Sequence, residues 1–264
     1  VTTNSARTTT ETLNDTSETW DFDSADLMPE VDPDGDGFWE VPANLVLNGD
    51  YEELGSELVT NGDFSSGSTG WENAFGGQWV ISSGKATLAV GVDGSYLRTV
   101  SNILTSGKSY KAVITTSGGL DSNNKVTIHA SSNTGQSIES DGTHTKYFTA
   151  DGTSFRFLGT ATDRPISIDS VSVQQVDPND RWTLTTGWSI EDGKAKCDGS
   201  QSGSADLIQS SITTEKDVQY EVTYTISNYS AGTIKARFSS GNVTTERSSN
   251  GTFNFTDSDA VDFF

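Results

Sequence analysis

The sequence predicts an all-β protein: tandem antiparallel β-sandwich domains of the jelly-roll kind, preceded by an extended, largely irregular N-terminal arm. Three observations predict it. Short runs alternate apolar with polar residues and are bounded by Gly, Asn, Asp and Ser, as half-buried strands are. No stretch carries a helical period. The chain also repeats itself at an offset of about 110 residues.

The arm covers residues 1–43. It has neither alternation nor helical period, but it holds two aromatic clusters, Trp20–Phe22 and Phe38–Trp39. Rings in so polar a segment favour an arm that gains order by docking on another surface over a disordered tail. Within it, "DPDGDGFWE" places Asp32, Asp34 and Asp36 at alternate positions before Gly37. A calcium loop opens this way, with hard oxygen ligands followed by a sharp turn. The twelfth position from Asp32 is Ala43 instead of the required Glu, so a solvated turn competes with an irregular calcium loop.

The first module is placed at residues 44–176. "KVTIHA" turns Val126, Ile128 and Ala130 to one face and Lys125, Thr127 and His129 to the other. This predicts His129 on the polar surface. "FRF" at Phe155–Phe157 continues the pattern. In "ISIDSVSV" the apolar parity changes at Asp169–Ser170, which predicts a bulge.

The second module is placed at residues 177–264. "GWSIEDGKAK" at Gly187–Lys196 repeats "QWVISSGKAT" at Gln78–Thr87, so Trp188 matches Trp79. Tyr220 of "YEVTYTI" matches Tyr110, turning Tyr220, Val222, Tyr224 and Ile226 inward. The matched tryptophans are assigned to the core. "NLVLNGDYEELG" at Asn44 echoes "ELVTNGDFSSG" at Glu57, like a duplicated first strand. The counterpart of Ile166 would fall at position 276, so the second module is expected to lack its closing strand within Val1–Phe264. Together with a first residue other than Met, this favours a processed chain or a piece of a longer one, ahead of a strand supplied by another chain.

Charge and composition narrow the function. A net charge of -21 repels phosphate backbones and anionic lipid, which argues against nucleic-acid binding and membrane association. No run is long enough for a membrane-spanning helix. One cysteine, Cys197, rules out an intrachain disulfide; it follows a strand-like segment and is expected to be a small buried hydrophobe. His129 and His144 have no nucleophile at a suggestive spacing, and neither a phosphate-cradling glycine loop nor a GxSxG elbow is present. No enzyme is predicted.

Aromatic rings can stack on the C–H face of a sugar while polar neighbours bond its hydroxyls. Tyr96 lies in "DGSYLRTV", whose counterpart "GSADLIQS" has no aromatic. A ring present in one copy only is not required by the shared core. Tyr96, Phe75 and Arg98 are therefore the candidate ligand-binding residues.

"NGDFSSGSTGW", "WVISSGKATL", the "SYKAVITT" strand and the closing "ISIDSVSV" resemble the CenC-type carbohydrate-binding modules. The wording of "NLVLNGDYEELGSELVTNGDF" is similar to structural proteins of tailed bacteriophages, where such modules occur in fibres and appendages. The first resemblance implies a structural calcium near the first and last strands. Its acidic position after the NGDF phenylalanine is Ser65 here, which leaves Asp63 and Asp169 as the implied ligands. Together they imply a virion-exterior protein, with a secreted one as the alternative. The arm would bind other virion proteins, the modules would bind polysaccharide, and assembly as a homo-trimer would be usual. A spacer without sugar affinity and the binding portion of a polysaccharide-degrading enzyme are the rival readings.

Overall fold

The structure is a computed structural model and describes residues 44–130, 135–210, 212, 214, 219–238, 242–243 and 245–257. Two compact units are distinguished, Val1–Leu47 and Asn48–Phe264. Of the first, only residues 44–47 are described, so the arm with Asp32, Asp34 and Asp36 lies outside the described residues. The second unit is all-β and antiparallel, with no helix among its described residues.

Eleven strands build its first part: β1 Leu54–Glu57, β2 Trp71–Ala74, β3 Trp79–Ser82, β4 Lys85–Leu88, β5 Val92–Thr99, β6 Ser109–Ser117, β7 Asn124–His129, β8 Gln136–Ile138, β9 Gly142–Thr149, β10 Arg156–Ala161 and β11 Ile166–Val176. One sheet runs β3-β4-β11-β6-β9, with β1 also on β11. The other runs β2-β5-β10-β7-β8. Their inner faces make one core. Tyr110, Ala112 and Ile114 of β6 and Ile166, Ile168, Val171 and Val173 of β11 meet Leu97, Val126, Phe157 and Ile138 from the other sheet. Burying each of the larger side chains contributes about 1.5–3 kcal/mol.

Local sequence sets the details. The β3–β4 turn is Ser83–Gly84, both with positive φ (53° and 72°), the two-residue turn whose twist suits a hairpin. On β11 the register with β6 shifts between Ile168 and Ser170, where the apolar parity changes. The bulge lets both apolar pairs face the core. Rings run through that core in a chain: Phe64–Trp71 at 5.2 Å, Trp71–Phe157 at 6.0 Å, Phe157–Phe155 at 5.2 Å, Phe155–Phe148 at 6.1 Å and Phe148–Tyr110 at 5.7 Å. Gly159 of β10 lies under the Trp79 indole; a Cβ there would sit 2.3 Å from its Cζ2 atom.

The β6–β7 connection is pinned electrostatically. Gly119 and Leu120 N–H groups donate to Asp141 at 2.9 Å, and Arg164 pairs with Asp163 and Asp121 at 3.0 and 3.3 Å. The N–H donors hold the Asp141 carboxyl below its ordinary value, with Leu120 the largest contributor.

The second part has eight short strands: β12 Thr183–Leu184, β13 Trp188–Glu191, β14 Lys194–Cys197, β15 Leu207–Ile208, β16 Tyr220–Ile226, β17 Arg237–Phe238, β18 Asn242–Val243 and β19 Gly251–Asp257. They form four separate two-stranded ladders, β12-β15, β13-β14, β16-β19 and β17-β18. The β13–β14 turn is Asp192–Gly193, with φ of 52° and 63°, the same turn as in β3–β4. Cys197 is exposed, not buried: it ends β14 in a two-stranded ladder, and the Gln201 amide donates to its sulfur at 3.2 Å.

Candidate functional site

The outer face of the β2-β5-β10-β7-β8 sheet carries the aromatic site. Side chains alternate along each strand, so the residues between the buried Ser95, Leu97 and Thr99 of β5 point outward: Tyr96 and Arg98. Register extends two rows across the sheet. One is Glu72, Arg98, Arg156 and His129; the next is Ala74, Tyr96, Leu158, Thr127 and Ser137.

Phe75 follows β2 with a φ of 53°, and the residue is 73% exposed. It meets Tyr96 edge-on, centroids 5.5 Å apart and planes at 77°. The Arg156 guanidinium lies over both rings, 5.2 Å from the centroid of Tyr96 and 5.8 Å from that of Phe75. Such a cation holds two rings in one orientation by attraction to their faces. Tyr96 in turn sits 6.2 Å from the His129 ring.

The structure thus brings Tyr96 and Phe75 into contact. Arg98 lies on the same face one row away, where its guanidinium is committed to Glu72 at 2.5–2.7 Å. Arg156 is the residue sequence reasoning passed over. Its signal was present in "FRF": between two inward phenylalanines an arginine must face out. His129 departs from expectation in the opposite way. It does face outward, but it is buried, because Tyr96 and the Arg156 strand lie beside it. Flanking polar groups complete the face. The Thr127 and Ser137 hydroxyls bond each other at 3.1 Å, and Lys125 pairs with Glu139 at 3.6 Å.

The corresponding place in the second part is built differently. Asp206 stands where Tyr96 stands, and it forms a 3.0 Å ion pair with Arg237. The ring pair therefore belongs to the first part and not to the shared framework.

Asp63 and Asp169 have different hydrogen-bond partners. Asp63 accepts from the Ser65 backbone N–H at 3.2 Å and from the Ser65 hydroxyl at 2.9 Å, which together lower its pKa, the N–H most. Asp169 accepts from Ser117 at 3.0 Å and pairs with Lys85 at 3.2 Å. Among the described residues no three His, Cys, Asp or Glu side chains group as metal ligands. His144 bonds the Ser140 carbonyl oxygen at 2.8 Å, inside its own turn.

No protein-family model matches the chain, and no curated protein matches it. Solved structures of carbohydrate-binding modules do. The second N-terminal cellulose-binding domain of Cellulomonas fimi β-1,4-glucanase C is 17% identical, with 47% of this chain and 97% of that one covered and a TM-score of 0.36. The first such domain of the same enzyme is 16% identical, with 46% and 97% covered and a TM-score of 0.33. The CBM22-1–CBM22-2 tandem of Paenibacillus barcinonensis Xyn10C is 11% identical, covers 79% and 83%, and has a TM-score of 0.30. Similarity at this level identifies no ligand.

Proposed function

We propose that this chain is a non-catalytic adhesion protein whose first sandwich binds polysaccharide on the outer face of the five-stranded sheet. The observation that carries this is the Phe75–Tyr96 pair, one ring largely open to solvent and both held by Arg156 on a flat strand surface. A pyranose presents an apolar C–H face to such a ring, while guanidinium, carboxylate and hydroxyl groups nearby bond its equatorial hydroxyls. The face runs across five strands, so it suits a long chain lying over them better than a small molecule. A single platform of this kind is weak and gains from multiple copies acting together.

The finer reading is display on the exterior of a tailed-phage particle, with the N-terminal arm docked on other virion proteins and trimeric assembly. The repeat, the acidic arm and the wording of the opening motifs support it. The same platform would serve as the binding portion of a secreted polysaccharide-degrading enzyme; mass spectrometry of purified particles separates the two. Calcium at Asp63 and Asp169 belongs to this reading as well, and a thermal midpoint unmoved by EGTA and by added calcium would remove it.

The test is binding to a panel of soluble and insoluble polysaccharides by affinity electrophoresis and pull-down. The wild type should be retained by at least one. Tyr96→Ala and Phe75→Ala should each weaken retention tenfold or more, about 1.4 kcal/mol, with unchanged folding. Retention equal in all three proteins would overturn the site. No retention of an oligomeric native assembly by any polysaccharide would overturn the function.

A further inference from the structure

Two places in the chain build the same turn. In the first sandwich, Asn61 and Phe64 take left-handed backbone, with φ of 55° at both. The Phe64 N–H donates to the Asn61 carbonyl at 3.1 Å, and the Ser66 N–H to the Asn61 side-chain oxygen at 2.9 Å. The Trp71 indole N–H donates to that same carbonyl at 3.1 Å, and the Phe64 and Trp71 rings lie 5.2 Å apart, tilted by 42°. At residues 48–53, Asn48 and Tyr51 have φ of 50° and 57°. The Tyr51 N–H donates to the Asn48 carbonyl at 3.2 Å, and the Glu53 N–H to the Asn48 side-chain oxygen at 3.0 Å. The indole that closes this turn belongs to Trp182. Its N–H donates to the Asn48 carbonyl at 2.9 Å, and the Tyr51 and Trp182 rings lie 5.2 Å apart, tilted by 40°. Asn61 and Trp71 are 10 residues apart in the chain, whereas Asn48 and Trp182 are 134 apart. The first sandwich fills the difference.

The two turns also meet the same partner. A Cβ at Gly84, in the β3–β4 turn, would come 3.8 Å from the Asp63 carbonyl oxygen. One at Gly193, in the β13–β14 turn, would come 3.5 Å from the Asp50 carbonyl oxygen and 3.1 Å from a Glu52 carboxylate oxygen. Residues 48–53 therefore pack as the opening turn of the second copy.

The chain must then cross twice between the copies, and the two crossings are bonded to each other. Leu54 pairs with Val176, and the Asp177 N–H donates to the Glu53 carbonyl at 3.0 Å. Asp177 is 5% exposed; one of its carboxylate oxygens takes the Asn48 amide at 3.0 Å and the other takes the Trp182 N–H at 2.9 Å. A buried carboxylate is costly without such donors, so Asp177 holds residues 48 and 182 side by side. Glu53 accepts from the Asn179 amide and pairs with Arg181 at 3.6 Å. Lys108 of the first sandwich pairs with Asp180 at 2.5 Å. Adjacent ends of this kind are what let a whole domain be set into another.

We propose that residues 48–53 and 177–182 form a clasp that closes the second copy, and that the first sandwich is an insert between its halves on whose folding the second copy depends. While the insert is folded, Glu53 and Asp177 are neighbours and the clasp closes a short gap. With the insert unfolded, the same clasp must close a loop of the whole insert, and the entropic cost rises with loop length. The dependence runs one way. The first sandwich has its own Asn61–Trp71 turn, and no clasp residue belongs to its core. Two bonded crossings also replace the single linker about which tandem domains swivel. The clasp stands whether or not the outer face binds sugar.

The test is hydrogen exchange, followed by NMR, in the Val1–Phe264 chain. Asn48→Gly permits the same left-handed backbone but removes both side-chain bonds of residue 48. Exchange of the Trp182 indole N–H and of the amides of β13 and β14 should rise at least tenfold, with β5 and β6 unchanged. The double variant Ile114→Asp/Phe157→Asp places two charges in the core of the first sandwich, at fully buried positions, and unfolds it. Protection of β13, β14 and the Trp182 indole should be lost with it. Wild-type exchange at β13 and β14 in Asn48→Gly, or acceleration confined to β5 and β6, would overturn the clasp. Protection of β13 and β14 retained in the double variant would overturn the dependence.

Discussion

Replacing Gly159 with alanine tests whether the indole of Trp79 closes the core over the middle strand of the five-stranded sheet. The new Cβ would lie 2.3 Å from Trp79 Cζ2 and 2.8 Å from Leu88 Cδ2, where ordinary contact begins at 3.4 Å. The ring would have to withdraw by about 1 Å or more, an overpacking shift of the kind that costs ~1–3 kcal/mol. It is not free to move. Its N–H is held by the Ser95 carbonyl at 3.0 Å, and its backbone N–H by the Asn73 side chain at 3.0 Å. Losing the indole bond adds about 1 kcal/mol. Against this, alanine restricts the unfolded chain and returns about 0.5–1 kcal/mol. The net expectation is a loss of about 2–3 kcal/mol, read as a lower urea midpoint by tryptophan fluorescence. The loss should shrink by more than half in a Trp79→Leu background, where the obstruction is gone. A Gly159→Ala midpoint within about 0.5 kcal/mol of wild type would refute this packing.

Three further expectations concern other parts of the molecule. Asp141→Asn should lower stability at pH 7. The Asp141 carboxyl has a depressed pKa, so its contribution is complete above the ordinary carboxylate range and disappears as pH falls through the depressed value; urea midpoints of the two proteins should converge near pH 2, and a constant difference would contradict it. Cys197 is exposed, so the native protein should react with Ellman's reagent to one equivalent as fast as the unfolded one; protection in the native state would place the thiol elsewhere. Trp182→Phe removes the bond to the Asn48 carbonyl and should cost about 1 kcal/mol in the transition reported by Trp188, with no effect if residues 48–53 do not pack there.

Much of the fold was legible because strand periodicity and turn chemistry are local. The parity change at Asp169–Ser170 located the bulge, and the Gly-, Asn-, Asp- and Ser-bounded alternation located strands such as β7 and β16. Trp79 was placed in the core by its recurrence. Its depth comes from Gly159, 80 residues away, which no local pattern reports. His129 shows the limit of alternation: parity gives the face, whereas burial depends on what adjacent strands lay over that face. Cys197 failed for the complementary reason, since a strand position is buried only if a second sheet covers it. The candidate site divides the same way. Tyr96 stood out because the second copy replaces it with Asp206, while Arg156 gains its role only when β10 brings it over the rings of Phe75, just past β2, and Tyr96 on β5.

The account rests on the outer face of the five-stranded sheet being the surface that meets sugar. Amide and aromatic NMR signals followed during titration with a soluble polysaccharide fragment retained by the protein test this most directly. The expected result is a contiguous set of shifted resonances at Phe75, Tyr96, Thr127 and Arg156, with the second copy unmoved. Shifts centred on the opposite sheet, or on Trp188 and β16 instead, would contradict it.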